Sequence, residues 1–134
     1  MAKILVIDDS VSILEQLKQA LSGEGYEVFT ADCGEAGLKM LQTEAVDLLI
    51  TDIYMSGLNG MEVMQLARQL HPPIRLVAMS SGADSNLMRL TAKTVGAYIT
   101  LKKPFNLADL HWTVEAALDL ECSPPRGREL GQSA

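Results

Sequence analysis

Short apolar runs alternate along the chain with longer segments of helical periodicity. Three runs are apolar almost throughout, at 4–7, at 48–50 and, apart from one arginine, at 74–79. Such runs predict strands that are buried on both faces of a parallel sheet. The segment 26–30 is more mixed and predicts an edge strand, and the segment 97–101 predicts a fifth strand.

The first two segments of helical periodicity have recognisable start signals. In the first, Ser12 and Glu15 have the spacing of a capping box, and Gly23 is expected to end the helix. The second is predicted to begin at Asp32, with Glu35 three residues further on.

Three further helices are predicted in the second half of the chain. The third begins at Asn59, ends before His71, and is expected to bury Val63, Leu66, Ala67 and Leu70. The fourth covers about 84–95. The fifth starts at Asn106, and its apolar face carries Leu107, Leu110, Val114, Ala117 and Leu118.

Five strands that are each followed by a helix predict one α/β domain. Its sheet is expected to be parallel, with right-handed crossovers and helices on both faces, which makes a three-layer sandwich. We assign residues 1–121 to this domain. The segment 122–134 contains two prolines and two glycines but no periodic apolar residues, and it is predicted to be a disordered tail or a linker.

Composition and charge exclude several classes of protein. The chain has 134 residues and a formal net charge of −6. This charge argues against direct nucleic-acid binding, which needs clustered Lys and Arg. No apolar run is long enough to span a bilayer, and the N-terminus does not resemble a signal peptide. Cys33 and Cys122 match no metal-site spacing and are expected to be reduced thiols, as in a cytoplasmic protein.

Acidic residues follow two of the predicted strands. Asp8 and Asp9 come directly after the first strand, and Asp52 comes directly after the third. Because ligands of open parallel sheets bind at the carboxyl ends of the strands, these three carboxylates are expected to meet if the two strands are neighbours. Clustered carboxylates need a neutralising cation, and hard oxygen ligands suit Mg²⁺. The alternative is that the acids only cap the helices that follow them.

The last two strands end in residues that favour phosphoryl transfer. Ser80 and Ser81 supply a hydroxyl group and backbone donors after the fourth strand, and Lys102 and Lys103 supply an ammonium group after the fifth. A site that combines acids, a metal, a hydroxyl group and a cation can position a phosphoryl group and neutralise its charge.

With these motifs in order, the sequence resembles the response-regulator receiver family of two-component signalling. Asp8 and Asp9 resemble the family's acidic pair, and Asp52 with the loop up to Gly60 resembles its phosphoacceptor and the loop that follows. Ser80 resembles the family's Ser/Thr, and the segment 103–105 resembles its Lys-Pro-Phe. The resemblance covers residues 3 to about 120, and it implies a flavodoxin-like fold with strand order 2-1-3-4-5.

The resemblance also implies a role for each metal-site residue. Asp52 would be the nucleophile that accepts a phosphoryl group from a phosphohistidine. Mg²⁺ would be held by Asp9, by Asp52 and by the backbone carbonyl of Tyr54, while Asp8 would act through water. Lys103 would pair with Asp52 at rest and with the phosphoryl oxygens afterwards.

Signal transmission is expected from the residues around Ser80. Its hydroxyl group and the backbone of Ser81 would bind the phosphoryl group, and the Lys103–Pro104 peptide bond is expected to be cis. The family's switch aromatic is replaced here by Thr100, which leaves Tyr98 as a candidate mobile aromatic or as a static edge residue.

The resemblance further implies partners. A sensor histidine kinase or phosphotransfer protein would supply the phosphoryl group, and an output protein or domain would bind the face formed by the fourth helix, the fifth strand and the fifth helix. A homodimer formed after phosphorylation is a further expectation, whereas nucleic acid and membranes are not expected partners. Two alternatives are a metal-dependent phosphatase, which would need an acid at Tyr54, and a docking scaffold that is not phosphorylated.

Three other side chains have structural interpretations. His71 is expected to cap the third helix or lie on the surface, and His111 is expected to pack beside the apolar face of the fifth helix. Trp112 is expected to be half-exposed on the same helix.

Overall fold

The structure is a computed structural model that describes residues 2–55, 57–80 and 99–119. The strands are β1 (Lys3–Ile7), β2 (Glu27–Ala31), β3 (Leu48–Asp52), β4 (Arg75–Ser80) and β5 (Ile99–Lys102), and the helices are α1 (Val11–Ser22), α2 (Gly34–Thr43), α3 (Gly60–Leu70) and α4 (Leu107–Asp119). Helix α4 is the fifth helix of the prediction. The predicted fourth helix lies outside the described residues, as do Ser81, Tyr98 and the segment 122–134.

The five strands form one parallel sheet in the order β2-β1-β3-β4-β5, which confirms the predicted fold class and strand order. The pairing of β1 with β3 aligns Ile7 with Thr51, and the pairing of β3 with β4 aligns Asp52 with Met79. Because β1, β3 and β4 are neighbours, the residues that follow them lie at one edge of the sheet.

Alternating side chains of the strands build two hydrophobic cores. Leu5 and Ile7 of β1 face the core that is shared with α2 and α3. Ile4 and Val6 face the core that is shared with α1 and α4. Burial of each large aliphatic side chain contributes roughly 1.5–3 kcal/mol. The sheet is therefore packed between two helical layers.

The starts of the first two helices differ from the prediction. The N-cap of α1 is Ser10, whose hydroxyl oxygen accepts a hydrogen bond from the backbone N–H of Ile13 at 3.4 Å. The expected capping box at Ser12 is therefore wrong, because Ser12 already lies inside the helix. Helix α2 has its N-cap at Cys33 without a side-chain hydrogen bond, so Asp32 lies outside the helix.

Helix α3 begins after Asn59 as predicted, and Asn59 forms a capping box with Glu62, but the buried face of the helix is shifted. Leu66 and Leu70 are 36% and 43% exposed, and Met64 is fully buried instead. The buried face of this helix consists of Gly60, Val63, Met64 and Ala67. Gly60 belongs to this face because the first turn of the helix lies directly against the end of β3.

Helix α4 begins after Asn106 as predicted. The Asn106 side-chain oxygen accepts a hydrogen bond from the backbone N–H of Asp109 at 2.7 Å. Leu107 is 62% exposed and does not join the apolar face, which is formed by Leu110, Thr113, Val114 and Ala117. The expected half-exposure of Trp112 is confirmed at 50%.

Candidate functional site

Three carboxylates meet at the carboxyl edge of the sheet. Asp8 and Asp9 follow β1, and Asp52 is the last residue of the neighbouring strand β3. One oxygen of each side chain lies within 4.8 Å of the others. Asp8 is fully buried, Asp52 is partly buried and Asp9 is exposed. The sheet therefore brings together the acidic residues that the sequence placed at separate strand ends.

Lys103 reaches these carboxylates from the end of β5. Its Nζ lies 2.8 Å from Oδ2 of Asp8 and 3.5 Å from Oδ2 of Asp52. Its backbone N–H donates to the carbonyl of Ser80 at 2.6 Å, and the Lys103–Pro104 peptide bond is cis. Lys103 thus contacts both acids, and its shorter contact is with Asp8. Lys102 is exposed and has no contact with the cluster among those that the described residues make.

Asp8 is held by several hydrogen bonds. Its Oδ1 accepts from the backbone N–H of Ser10 at 2.9 Å, and its Oδ2 accepts from Lys103. Its own backbone N–H donates to the carbonyl of Ala31 at 3.2 Å. A buried carboxylate needs such partners, since an uncompensated buried charge is costly. Asp8 therefore anchors Lys103 and the start of α1.

The pKa values of Asp52 and Lys103 reflect opposing effects. Burial raises the pKa of Asp52 above its ordinary value; the charge of Lys103 opposes this shift and the charge of Asp8 adds to it. For Lys103, burial acts to lower the pKa, but the hydrogen bond to Asp8 and the charges of Asp52 and Asp8 outweigh it, and the pKa is raised. Lys103 therefore stays charged, while Asp52 is a carboxylate that benefits from a further cation.

Ser80 lies at the same edge, at the end of β4. It is 7% exposed and pairs in register with Lys102 of β5. Thr100 pairs with Ala78 further down the same two strands and is only partly buried. Two other residues of the predicted phosphoryl-binding and switch set, Ser81 and Tyr98, lie outside the described residues.

Gly60 allows α3 to start directly against the end of β3. A Cβ at this position would overlap the carbonyl oxygen of Asp52 and lie 2.8 Å from the Cα of Ile53. The backbone N–H of Gly60 donates to the carbonyl of Ile53 at 2.8 Å. The sequence identified Gly60 only as part of a motif. The number of residues between Asp52 and Gly60 does not predict that the two backbones lie in contact.

The donor set of this cluster suits a hard divalent cation. Carboxylate oxygens and backbone carbonyls are the ligands that such ions prefer, and Asp9 remains exposed to solvent beside Asp52. Among the described residues, the side chains of Asp8, Asp9 and Asp52 form a cluster of three that could hold a metal ion.

Comparison of the sequence with protein families identifies the family of this chain. The model of the family described as the response regulator receiver domain matches residues 4–115. The chain belongs to this family. Receiver domains are signalling switches rather than conventional enzymes, and response regulators receive phosphoryl groups from histidine kinases and regulate output domains.

Individual relatives of this receiver domain include transcriptional regulators. It is 37% identical over 120 residues to the transcriptional regulatory protein CpxR of Escherichia coli, a match that covers 88% of this chain and 50% of CpxR. It is 35% identical over 119 residues to the alkaline phosphatase synthesis transcriptional regulatory protein PhoP of Bacillus subtilis, which covers 87% and 48% respectively. The chain spans about half the length, or less, of the curated relatives it matches.

Solved structures of receiver domains share the fold. The chemotaxis protein CheY4 of Vibrio cholerae superimposes with a TM-score of 0.82 at 32% sequence identity, covering 88% of this chain and 99% of that one. A response regulator receiver domain protein from Clostridium thermocellum has a TM-score of 0.80 at 31% identity, covering 89% and 95%. No described helix is both long and apolar enough for a membrane span.

Proposed function

We propose that this receiver domain is a signalling switch that accepts a phosphoryl group on Asp52 from the phosphohistidine of a sensor histidine kinase or phosphotransfer protein. The observation that carries the proposal is the cluster of Asp8, Asp9 and Asp52 with the ammonium group of Lys103 at the carboxyl edge of the sheet. This combination supplies a nucleophile together with the charges that phosphoryl transfer requires.

In the proposed reaction, a carboxylate oxygen of Asp52 attacks phosphorus in line with the P–N bond of the phosphohistidine. The P–O bond forms as the P–N bond breaks, and the departing imidazole takes up a proton. The product is an acyl phosphate on Asp52. Hydrolysis of this bond by water returns the carboxylate, so the domain catalyses only its own phosphorylation and dephosphorylation.

A bound Mg²⁺ would neutralise charge on the transferring group. We propose that Asp9, Asp52 and the backbone carbonyl of Tyr54 hold the ion directly and that Asp8 acts through water. The contacts of Asp8 support this division, because one of its oxygens accepts from Ser10 and the other from Lys103. Asp9 is exposed and makes no hydrogen bond among those found for the described side chains.

Lys103 and Ser80 would bind the phosphoryl group once it is on Asp52. The ammonium group of Lys103 is 3.5 Å from Asp52 and would move from the carboxylates to the phosphoryl oxygens. The Ser80 hydroxyl and the backbone of Ser81 would donate hydrogen bonds to those oxygens. Movement of Ser80 toward the phosphoryl group would start the conformational change, with Thr100 of β5 and Tyr98 as the residues proposed to continue it.

We further propose that residues 1–121 form the receiver domain and that 122–134 are a disordered tail or linker. The output protein or domain would bind the face made by the predicted fourth helix, β5 and α4, and phosphorylation would favour a homodimer. A cytoplasmic location fits this role, because the kinase domains that phosphorylate response regulators act there.

Mass spectrometry after incubation with Mg²⁺ and a small-molecule phosphodonor tests the acceptor. We expect one acid-stable, base-labile phosphate on the wild-type chain and none on Asp52→Asn. Asp32→Asn is the matched control, because it removes an exposed carboxylate near the same edge and should leave phosphorylation intact. A phosphate found elsewhere on the wild-type chain would contradict the proposal, and no phosphate at all would favour the docking scaffold.

A further inference from the structure

His111 lies between two carboxylates on the surface of α4. Its Nδ1 is 2.6 Å from Oε1 of Glu24, which belongs to the turn between α1 and β2. Its Nε2 is 3.3 Å from Oε2 of Glu115, one helical turn further along α4. The expected packing of His111 beside the apolar face is therefore wrong, since the ring is about half-exposed and faces acids on both edges.

The arrangement favours one protonation state of the ring. A neutral imidazole has one N–H group and one lone pair, so one of the two carboxylates would face a lone pair. The imidazolium ion carries an N–H group on both nitrogens and can donate to both Glu24 and Glu115. The pKa of His111 is raised accordingly: the hydrogen bond to Glu24 raises it most, burial opposes the shift, and the charges of Glu115 and Glu24 add to it.

Both charged groups that contact His111 are acidic. Glu24 approaches from the turn, and Glu115 lies on α4 itself. The first residue after the turn, Tyr26, has its pKa raised by burial and by the charges of Glu115, Glu24 and Asp119. A proton on His111 offsets part of this negative charge. It also links α4 to a turn that is 87 residues earlier in the chain.

We propose that His111, when protonated, is a pH-sensitive clamp that holds α4 against the turn between α1 and β2. A histidine whose folded pKa is raised stabilises the fold below its unfolded pKa of 6.5 and loses that contribution as the pH rises through the folded pKa. The clamp is therefore closed below the unfolded pKa and is released as the pH rises through the raised folded pKa. Because the ring is exposed, salt weakens the clamp. The inference does not depend on the phosphorylation of Asp52.

NMR titration of the histidine rings in the unphosphorylated protein tests the clamp directly. The chain has two histidines, and His111→Asn assigns the His111 signal by its loss. We expect Glu24→Gln and Glu115→Gln each to lower the pKa of His111. Glu15→Gln removes the same charge from an exposed position on α1 and should leave that pKa unchanged. An unchanged titration in Glu24→Gln would overturn the proposal.

Hydrogen exchange tests whether the proton holds the helix. Protection factors of the α4 amides, corrected for the intrinsic exchange rate, are compared at about pH 6 and about pH 8.5. We expect them to fall roughly two- to fivefold in the wild type, as an exposed ion pair allows, and to stay level in His111→Asn. The same fall in both proteins would overturn the clamp. If His111→Asn does not fold, the comparison between Glu24→Gln and Glu15→Gln decides the question alone.

Discussion

At the scale of single residues, the candidate site depends on how Lys103 is shared between two carboxylates. Its ammonium group is 0.7 Å closer to Asp8 than to Asp52, the difference between 3.5 and 2.8 Å. Asp8 also accepts the backbone N–H of Ser10. In this arrangement Asp8 holds the lysine in place, and Asp52 and Asp9 are the carboxylates that the proposed metal site would use.

This division of roles predicts a difference between two alanine substitutions. Asp9→Ala should weaken Mg²⁺ binding more than Asp8→Ala, because it removes a proposed direct ligand. Calorimetric titration of Mg²⁺ into each variant measures the difference. Asp32→Ala, which removes an exposed acid outside the cluster, is the control. Equal losses in the two test variants would show that Asp8 is also a direct ligand.

A second residue-scale prediction concerns Gly60. Gly60→Ala should lower the free energy of unfolding by about 1–3 kcal/mol, because the added Cβ would overlap the backbone of Asp52 and Ile53. Urea denaturation measures the change. Gly23→Ala is the matched control, since its added Cβ would meet only the carbonyl oxygens of Gln19 and Ala20, at 3.3 and 3.6 Å. A Gly60→Ala variant as stable as the control would mean that α3 can move away from β3 at little cost.

At the scale of elements, the position of the N-cap of α1 depends on the backbone conformation of the residues between β1 and the helix. Ser10 has an extended backbone, with φ −95° and ψ 112°, and is therefore free to cap α1. Ser12 has a better sequence signal, but it is already in the helix. His71 shows a related effect. It ends α3 as expected, and its ring Nε2 lies 2.7 Å from the carbonyl oxygen of Leu41, near the end of α2.

The position of the α1 cap can be tested by a pair of substitutions. Ser10→Ala should reduce the free energy of unfolding by roughly 0.5–2 kcal/mol, the usual contribution of an N-cap side chain. Ser12→Ala should have little effect, because Ser12 is exposed and its hydroxyl group caps nothing. Thermal unfolding of the two variants provides the comparison. A larger loss in Ser12→Ala would restore the capping box that the sequence suggested.

At the scale of the whole molecule, the sheet brings together residues from four strand ends and fixes their order along one edge. Helix α4 completes the second core with Leu110, Val114 and Ala117. It is also tied to the turn after α1 through His111. The last described helix is therefore part of the domain, and the proposed domain boundary lies after it.

Truncation tests this boundary. A chain that ends at residue 121 should unfold cooperatively within a few degrees of the full chain and should still be phosphorylated. A chain that ends at residue 106 should lose cooperative unfolding, because it lacks the apolar side chains that α4 contributes to the core. Differential scanning calorimetry distinguishes these outcomes. A large drop in Tm for the first truncation would place residues 122–134 inside the folded domain.

The sequence by itself determined the order of the elements that the structure describes and the residue types at the strand ends. Both are local properties. An apolar run such as 4–7 is buried whichever strand lies beside it, and Asp8, Asp52, Ser80 and Lys103 end a strand or directly follow one. The resemblance to the receiver family supplied the strand order, which the structure confirms.

Only the tertiary structure decided how these parts meet. The contacts of Lys103 with Asp8 and of His111 with Glu24 join residues that are distant in sequence. The exposure of Leu66 and Leu70 depends on how α3 is rotated against the sheet. Local periodicity leaves that rotation open by about one residue position, because several neighbouring side chains on each helix are apolar. Close packing selects a single solution, and in α3 the approach of Gly60 to β3 fixes it.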